Sequence, residues 1–104
     1  MAESVMLCKR DDIDSGEARS FEVKGQRVAL VRIEDRFYAV QDRCSHQDFA
    51  LSIGEVYEDE AEIECPKHGS SFDLITGEPR SLPATKPIRV YELELVDDEV
   101  RVLI

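Results

Sequence analysis

The chain has 104 residues, 42% of them hydrophobic and 35% charged, and a formal net charge of −10. That is the size of one small domain, with enough apolar side chains to build a core rather than stay disordered. So acidic a surface argues against nucleic acid as a partner, because phosphates would be repelled.

No apolar run approaches the roughly 18 residues that a membrane helix requires. Met1-Ala2-Glu3-Ser4 shows no basic stretch leading into an apolar one, so no secretory signal is expected. The expected location is cytoplasmic, a reducing compartment in which thiols stay available for metals.

In chain order, the first third reads as strands. Val5–Lys9 is a short apolar run, and Phe21–Val23, Arg27–Ile33 and Phe37–Gln41 are rich in β-branched and aromatic residues. Lys24-Gly25-Gln26 and Glu34-Asp35-Arg36 lie between them as turns. The stretch from Asp42 to Pro87 differs: it holds Gly54, Gly69, Gly77 and the prolines Pro66, Pro79, Pro83 and Pro87, which build tight loops. Within it, Ala61–Cys65 and Phe72–Leu74 suit short strands that carry those loops. Ile88–Val96 alternates through Ile88 and Val90, then Leu93 and Leu95 across Tyr91, and Val100, Val102 and Ile104 alternate again. Val96-Asp97-Asp98-Glu99 predicts a hairpin turn between the last two strands. No segment carries a long 3.6-residue periodicity, so the expectation is a single all-β domain over residues 1–104, an antiparallel framework with a metal-binding subdomain inserted at about 42–87.

The metal is implied by scarce residues gathered in one pattern. The chain has two histidines and three cysteines, and Cys44-Ser45-His46 and Cys65-Pro66-Lys67-His68 use both histidines and two of the cysteines. Residues 47–64 separate the pairs. Thiolate and imidazole suit iron or zinc, not magnesium or calcium. A Cys₂His₂ zinc site that staples the fold is one solution. Zinc sites, however, usually open on a Cys-x₂₋₄-Cys knuckle or close on His-x₃₋₅-His, whereas each pair here mixes one cysteine with one histidine. Two such pairs also sit badly with a Cys–His catalytic dyad. Cys8, in a strand, reads as a small buried hydrophobe.

Cys44-Ser45-His46 followed by Cys65-Pro66-Lys67-His68-Gly69-Ser70 resembles the Rieske [2Fe–2S] family, whose clusters take two cysteines on one iron and two histidines on the other. The resemblance extends to Phe72-Asp73, Thr76-Gly77 and Leu82-Pro83-Ala84-Thr85. It implies a Rieske-like antiparallel β-sandwich holding one [2Fe–2S] cluster. Cys44 and Cys65 would ligate the inner iron, and His46 and His68 the outer iron. The Ser70 hydroxyl would donate to a cluster sulfide, and the Pro83 stretch would cover the cluster.

Departures from the family narrow the branch. Phe49 and Lys67 stand where high-potential members carry a disulfide, and Phe72 stands where they carry a tyrosine that donates to a cysteine sulfur. No membrane anchor is expected either. The resemblance therefore implies a low-potential ferredoxin that is not itself an enzyme. It would pass single electrons from a flavin-dependent reductase to the terminal oxygenase of a non-haem iron dioxygenase system. Docking would occur at the tip around His46 and His68, ringed by Gln47, Asp48, Phe49, Lys67 and Pro83. Glu55, Glu58, Asp59, Glu60, Glu62 and Glu64 crowd the stretch just before Cys65 and would push the potential lower, while acids around the tip would steer a basic partner surface. A ferredoxin for cluster assembly or nitrite reduction, a redox-sensing subunit and a zinc-stapled interaction module are the alternatives.

Overall fold

The computed structural model describes residues 3–44, 49–66, 69–82 and 84–104. The described residues form two antiparallel sheets. The larger contains β1 (Ser4–Lys9), β2 (Ala18–Val23), β3 (Gln26–Ile33), β4 (Arg36–Gln41), β8 (Val90–Val96) and β9 (Glu99–Leu103). Its order is β1-β9-β8-β4-β3-β2. The smaller, between β4 and β8 in the chain, contains β5 (Val56–Tyr57), β6 (Glu62–Glu64) and β7 (Ser71–Asp73), in the order β5-β6-β7. Short 3₁₀ turns occupy Arg10–Asp12 and Leu51–Ile53.

β3 explains the layering. Successive side chains of a strand point to opposite faces, and β3 is apolar on both. Val28 and Leu30 are fully buried against the β1–β9 half: Leu30 clusters with Cys8, Ile13 and Val100, and Val28 with Val23, Ala39 and Val102. Ala29, Val31 and Ile33 face the other way. With Val40 they pack on Cys44, Leu51, Ile63, Cys65, Phe72, Leu74, Ala84 and Ile88. β3 is thus the central wall between a sandwich core and a second core beneath the small sheet. β8 turns the corner, pairing with β4 through Val90 and Tyr91 and with β9 from Glu92 to Val96.

The hairpins lie where turn chemistry places them, with shorter loops. Val23 pairs with Gln26, Ile33 with Arg36 and Val96 with Glu99, so each loop has two residues. Such loops need a positive φ at their first position, and Lys24 (+51°), Glu34 (+56°) and Asp97 (+56°) supply it.

Several element boundaries differ from the expectation. β2 begins at Ala18 rather than Phe21, because its ladder with β3 runs back to Val31. Ala61 is not in a strand: its φ of +53° makes it the turn residue before β6. β7 ends at Asp73, and β5 carried no recognisable signal. β8 starts at Val90 and is not cleanly alternating. Val90 and Leu95 are exposed, because the strand changes partners midway and has little covering its outer face.

Candidate metal centre

Two loops begin at cysteines buried in the same core against β3: Cys44, after the large sheet's β4, and Cys65, after the small sheet's β6. The first starts after β4 at Cys44, whose amide donates to the Phe49 carbonyl at 3.0 Å. The second starts after β6 at Cys65, whose amide donates to the Ser70 carbonyl at 2.6 Å. Both loops are therefore closed at the base by the same bond, from a cysteine N–H to the carbonyl five residues on. The Gly69 amide donates back to the Cys65 carbonyl at 3.1 Å, and its φ of +73° is one that glycine tolerates best.

Cys44 and Cys65 share one buried cluster and are 2% and 1% exposed. Neither is in a disulfide. His46 and His68, with Gln47, Asp48, Lys67 and Pro83, lie outside the described residues. Cys8 is buried on the far side of β3, and burial, reinforced by the Asp12 charge, pushes its thiol above the usual range, which leaves it inert.

A third segment straps the second loop. The Arg80 amide donates to the Ser71 carbonyl at 2.7 Å, and the Ser71 amide donates to Ser81 Oγ at 2.9 Å. Ser81 Oγ in turn donates to the Gly69 carbonyl at 3.3 Å. The Ala84 amide donates to Ser70 Oγ at 3.1 Å. Ser70 is fully buried and accepts with a lone pair, so its own hydroxyl proton remains to be donated. Phe72, also fully buried, packs in the same cluster as the two cysteines.

The first loop has a different support. Asp42, two residues before Cys44, is completely buried. Its carboxylate accepts from the Ser52 amide at 2.7 Å and from Ser52 Oγ at 2.9 Å, and Arg27 lies 3.8 Å away. This holds the Leu51–Ile53 turn against the end of β4. Gly54, next in the chain, lies so close to β6 that a Cβ would fall 1.7 Å from the Glu64 carbonyl oxygen.

Asp73 organises the turn after β7. Its Oδ1 accepts from the amides of Ile75 (2.7 Å) and Thr76 (3.0 Å), and its Oδ2 accepts from Arg80 at 2.6 Å. Burial alone would raise this carboxyl, but the Arg80 hydrogen bond and the two amides outweigh it and hold it below the ordinary range. The acids before Cys65 lie along the β5–β6 hairpin. There the Tyr57 hydroxyl donates to Glu64, a bond that pushes the phenol up to about 12.

Sequence reading singled out Cys44, Cys65 and Ser70 and missed Asp42, Ser52, Ser71 and Ser81. The four missed residues act through hydrogen bonds to partners ten or more residues away in the chain, which leave no local pattern.

An all-β scaffold that buries two thiols in one core at the bases of two similarly closed loops, each loop also carrying a histidine in its sequence, is that of a metal-cluster protein. The donor set of two free, buried thiols and two imidazoles in the sequence fits an iron–sulfur cluster. Residues 3–92 match the Rieske [2Fe–2S] domain family, and the chain belongs to it. It is 36% identical over 100 residues to a 3-phenylpropionate/cinnamic acid dioxygenase ferredoxin subunit of Photorhabdus laumondii, covering 96% of this chain and 93% of that one. Among solved structures, it superposes with a TM-score of 0.93 and 35% identity on the ferredoxin of carbazole 1,9a-dioxygenase from Nocardioides aromaticivorans, covering 95% of both chains. A further match, with a TM-score of 0.87, 38% identity and coverage of 94% and 99%, is to a chain in a complex of reduced oxygenase and oxidized ferredoxin in carbazole 1,9a-dioxygenase. The chain carries one Rieske-type [2Fe–2S] cluster and is an electron-transfer protein. No helix among the described residues is long and apolar enough to cross a membrane.

Proposed function

We propose that Cys44, His46, Cys65 and His68 hold the cluster. The protein then carries single electrons, at low potential, from a flavin-dependent reductase to the terminal oxygenase of an aromatic-ring dioxygenase system in the cytoplasm. The whole chain acts as one domain, with residues 42–87 as its cluster-binding part. The observation that carries this reading is the pair of identically closed loops with Cys44 and Cys65 buried at their bases. When bound, the cluster supplies a site that takes up and releases one electron. The chain's task is to hold it, keep water from the thiolates, and stabilise the negative charge that reduction adds. Ser70 suits the last task, because its oxygen is anchored by the Ala84 amide and its proton is left to donate. Phe72 has no hydroxyl to offer, which favours a lower potential.

Docking near His46 and His68 is supported by apolar side chains that the surrounding segments expose. Phe49 closes the first loop and is 36% exposed, and Leu82, on the segment strapped to the second, is 78% exposed. Sequence reading anticipated Phe49 but not Leu82. Small, weakly held apolar patches suit a carrier that must dissociate after each transfer. The experiment is anaerobic stopped-flow mixing of the reduced protein with the oxygenase recovered from its native host. Reoxidation should be fast and should slow as salt rises. Reoxidation no faster with the oxygenase than without it would reject the assignment.

A further inference from the structure

A cleft of about 330 Å³ opens at the end of the large sheet, between the β2–β3 turn and the start of β8. Arg27, Arg43 and Arg89 line it with Gln26, Gln41 and Tyr91, and among the described residues no carboxylate does. On a chain with 23 acidic and 13 basic residues, three guanidinium groups around one hollow are a marked local reversal of charge.

Three arginines elsewhere fold onto carboxylates: Arg80 on Asp73 at 2.6 Å, Arg101 on Glu99 at 2.7 Å, Arg19 on Glu17 at 3.3 Å. Arg89 does not. It spends one N–H on the neutral Gln26 Oε1, at 2.9 Å, and its guanidinium carbon lies 6.0 Å from the Tyr91 ring centre. The Tyr91 hydroxyl donates to the same Gln26 oxygen at 2.8 Å, so that oxygen already holds two donors. Gln41 fixes the backbone beneath. Its Oε1 accepts from the Arg89 amide at 2.7 Å and its Nε2 donates to the Arg43 carbonyl at 3.0 Å. Arg27, opposite, keeps its place through the buried Asp42, 3.8 Å away, while its side chain stays more than half exposed. The cleft therefore presents the Arg89 guanidinium fork, held in position by the neutral Gln26 amide with N–H donors left over, the half-exposed Arg27 guanidinium anchored on Asp42, and an aromatic wall beside them. Forks of this kind bind oxyanions through paired hydrogen bonds, and preorganisation lowers the entropy cost of doing so.

We infer that this cleft is an oxyanion site that takes a phosphate or a carboxylate. It lies beside the base of the first loop, through Arg43, and its test does not depend on which residues ligate iron. The cluster-loaded protein is titrated with inorganic phosphate, and separately with acetate, at physiological salt while backbone and side-chain amide NMR signals are followed. The expected result is saturable shifts at Gln26, Arg89 and Tyr91, with those of Lys9 and Arg36 unchanged. Saturation by phosphate alone identifies a phosphate-bearing ligand, and equal saturation by acetate identifies a carboxylate. R89Q should weaken binding at least about tenfold, the loss of one charge-assisted hydrogen bond. R27Q provides a second test should R89Q fold poorly. No saturable shift with either anion, or unchanged affinity in a folded R89Q or R27Q, would overturn the inference.

Discussion

The six-stranded sheet and the loop region between β4 and β8 both bury apolar side chains against β3, the loop region contributing Leu51, Ile63, Phe72 and Leu74, but they fix their backbones differently. In the sheet, the backbone is held by regular antiparallel ladders. In the loop region, polar side chains reach across to backbone: Asp42 to Ser52, Ser70 to Ala84, Ser81 to Gly69, Asp73 to Ile75 and Thr76. Gly54 and Gly77 allow backbones to approach where no Cβ fits, since one would fall 1.7 Å from the Glu64 carbonyl oxygen and 2.2 Å from that of Ile88. The difference suits the task. Cluster ligands need fixed positions, and hydrogen bonds are directional whereas hydrophobic burial is not.

The largest expected effect breaks the loop region through sterics alone. In Gly54→Ala the new Cβ meets the Glu64 carbonyl oxygen at 1.7 Å, so β6 must move. Destabilisation of about 4 kcal/mol or more is expected by chemical denaturation, with the cluster lost first. A variant within 1 kcal/mol of the parent, by the ordinary scale of surface substitutions, would show that the close approach is not rigid.

Leu30→Ala sharpens the contrast from the other side. Leu30 is fully buried in the sandwich core beside Cys8, on the opposite face of β3 from Cys44 and Cys65. Its truncation should cost about 3 kcal/mol and leave the reduction potential of the folded protein unchanged. A shifted potential would mean that the two cores are mechanically one.

Ser70→Ala should do the reverse. Losing the acceptor for the Ala84 amide costs about 1 kcal/mol, a modest loss. The potential should fall, because a donor that favours the reduced, more negative state is gone. Voltammetry on the intact variant decides it, and an unchanged potential would remove Ser70 from the cluster's hydrogen bonding.

The same contrast explains what was legible beforehand. Strands β1, β3, β4 and β9 were visible because burial imposes patterns on neighbouring residues, such as the unbroken Val28–Val31 run. The cysteines were visible because they are scarce and regularly spaced. Asp42 was not, since nothing local separates a buried, hydrogen-bonded aspartate from the exposed ones nearby. Ser71 and Ser81 look like ordinary loop serines until the strap is seen. The shift of β8 between partners was also invisible, because alternation reports which face is buried and not which strand is adjacent.

The smallest effect concerns pH. The Asp73 carboxyl is held below its ordinary value by Arg80 and two amides. A lowered folded-state pKa stabilises the protein above the unfolded value of about 3.9, and that contribution disappears as pH falls through the folded value. Stability should therefore decline below about pH 4, and Asp73→Asn should flatten that part of the profile. A profile identical in the variant would show that other carboxylates dominate acid unfolding.

The central claim is that two loops, each carrying one cysteine and one histidine, hold the cluster between them. The chain has only two histidines, so labelling histidine with ¹⁵N marks both proposed ligands and nothing else. Pulsed electron paramagnetic resonance on the reduced, labelled protein should resolve strong coupling to two histidine nitrogens. A cluster signal without histidine coupling, or purified protein holding zinc and no labile sulfide, would contradict the account.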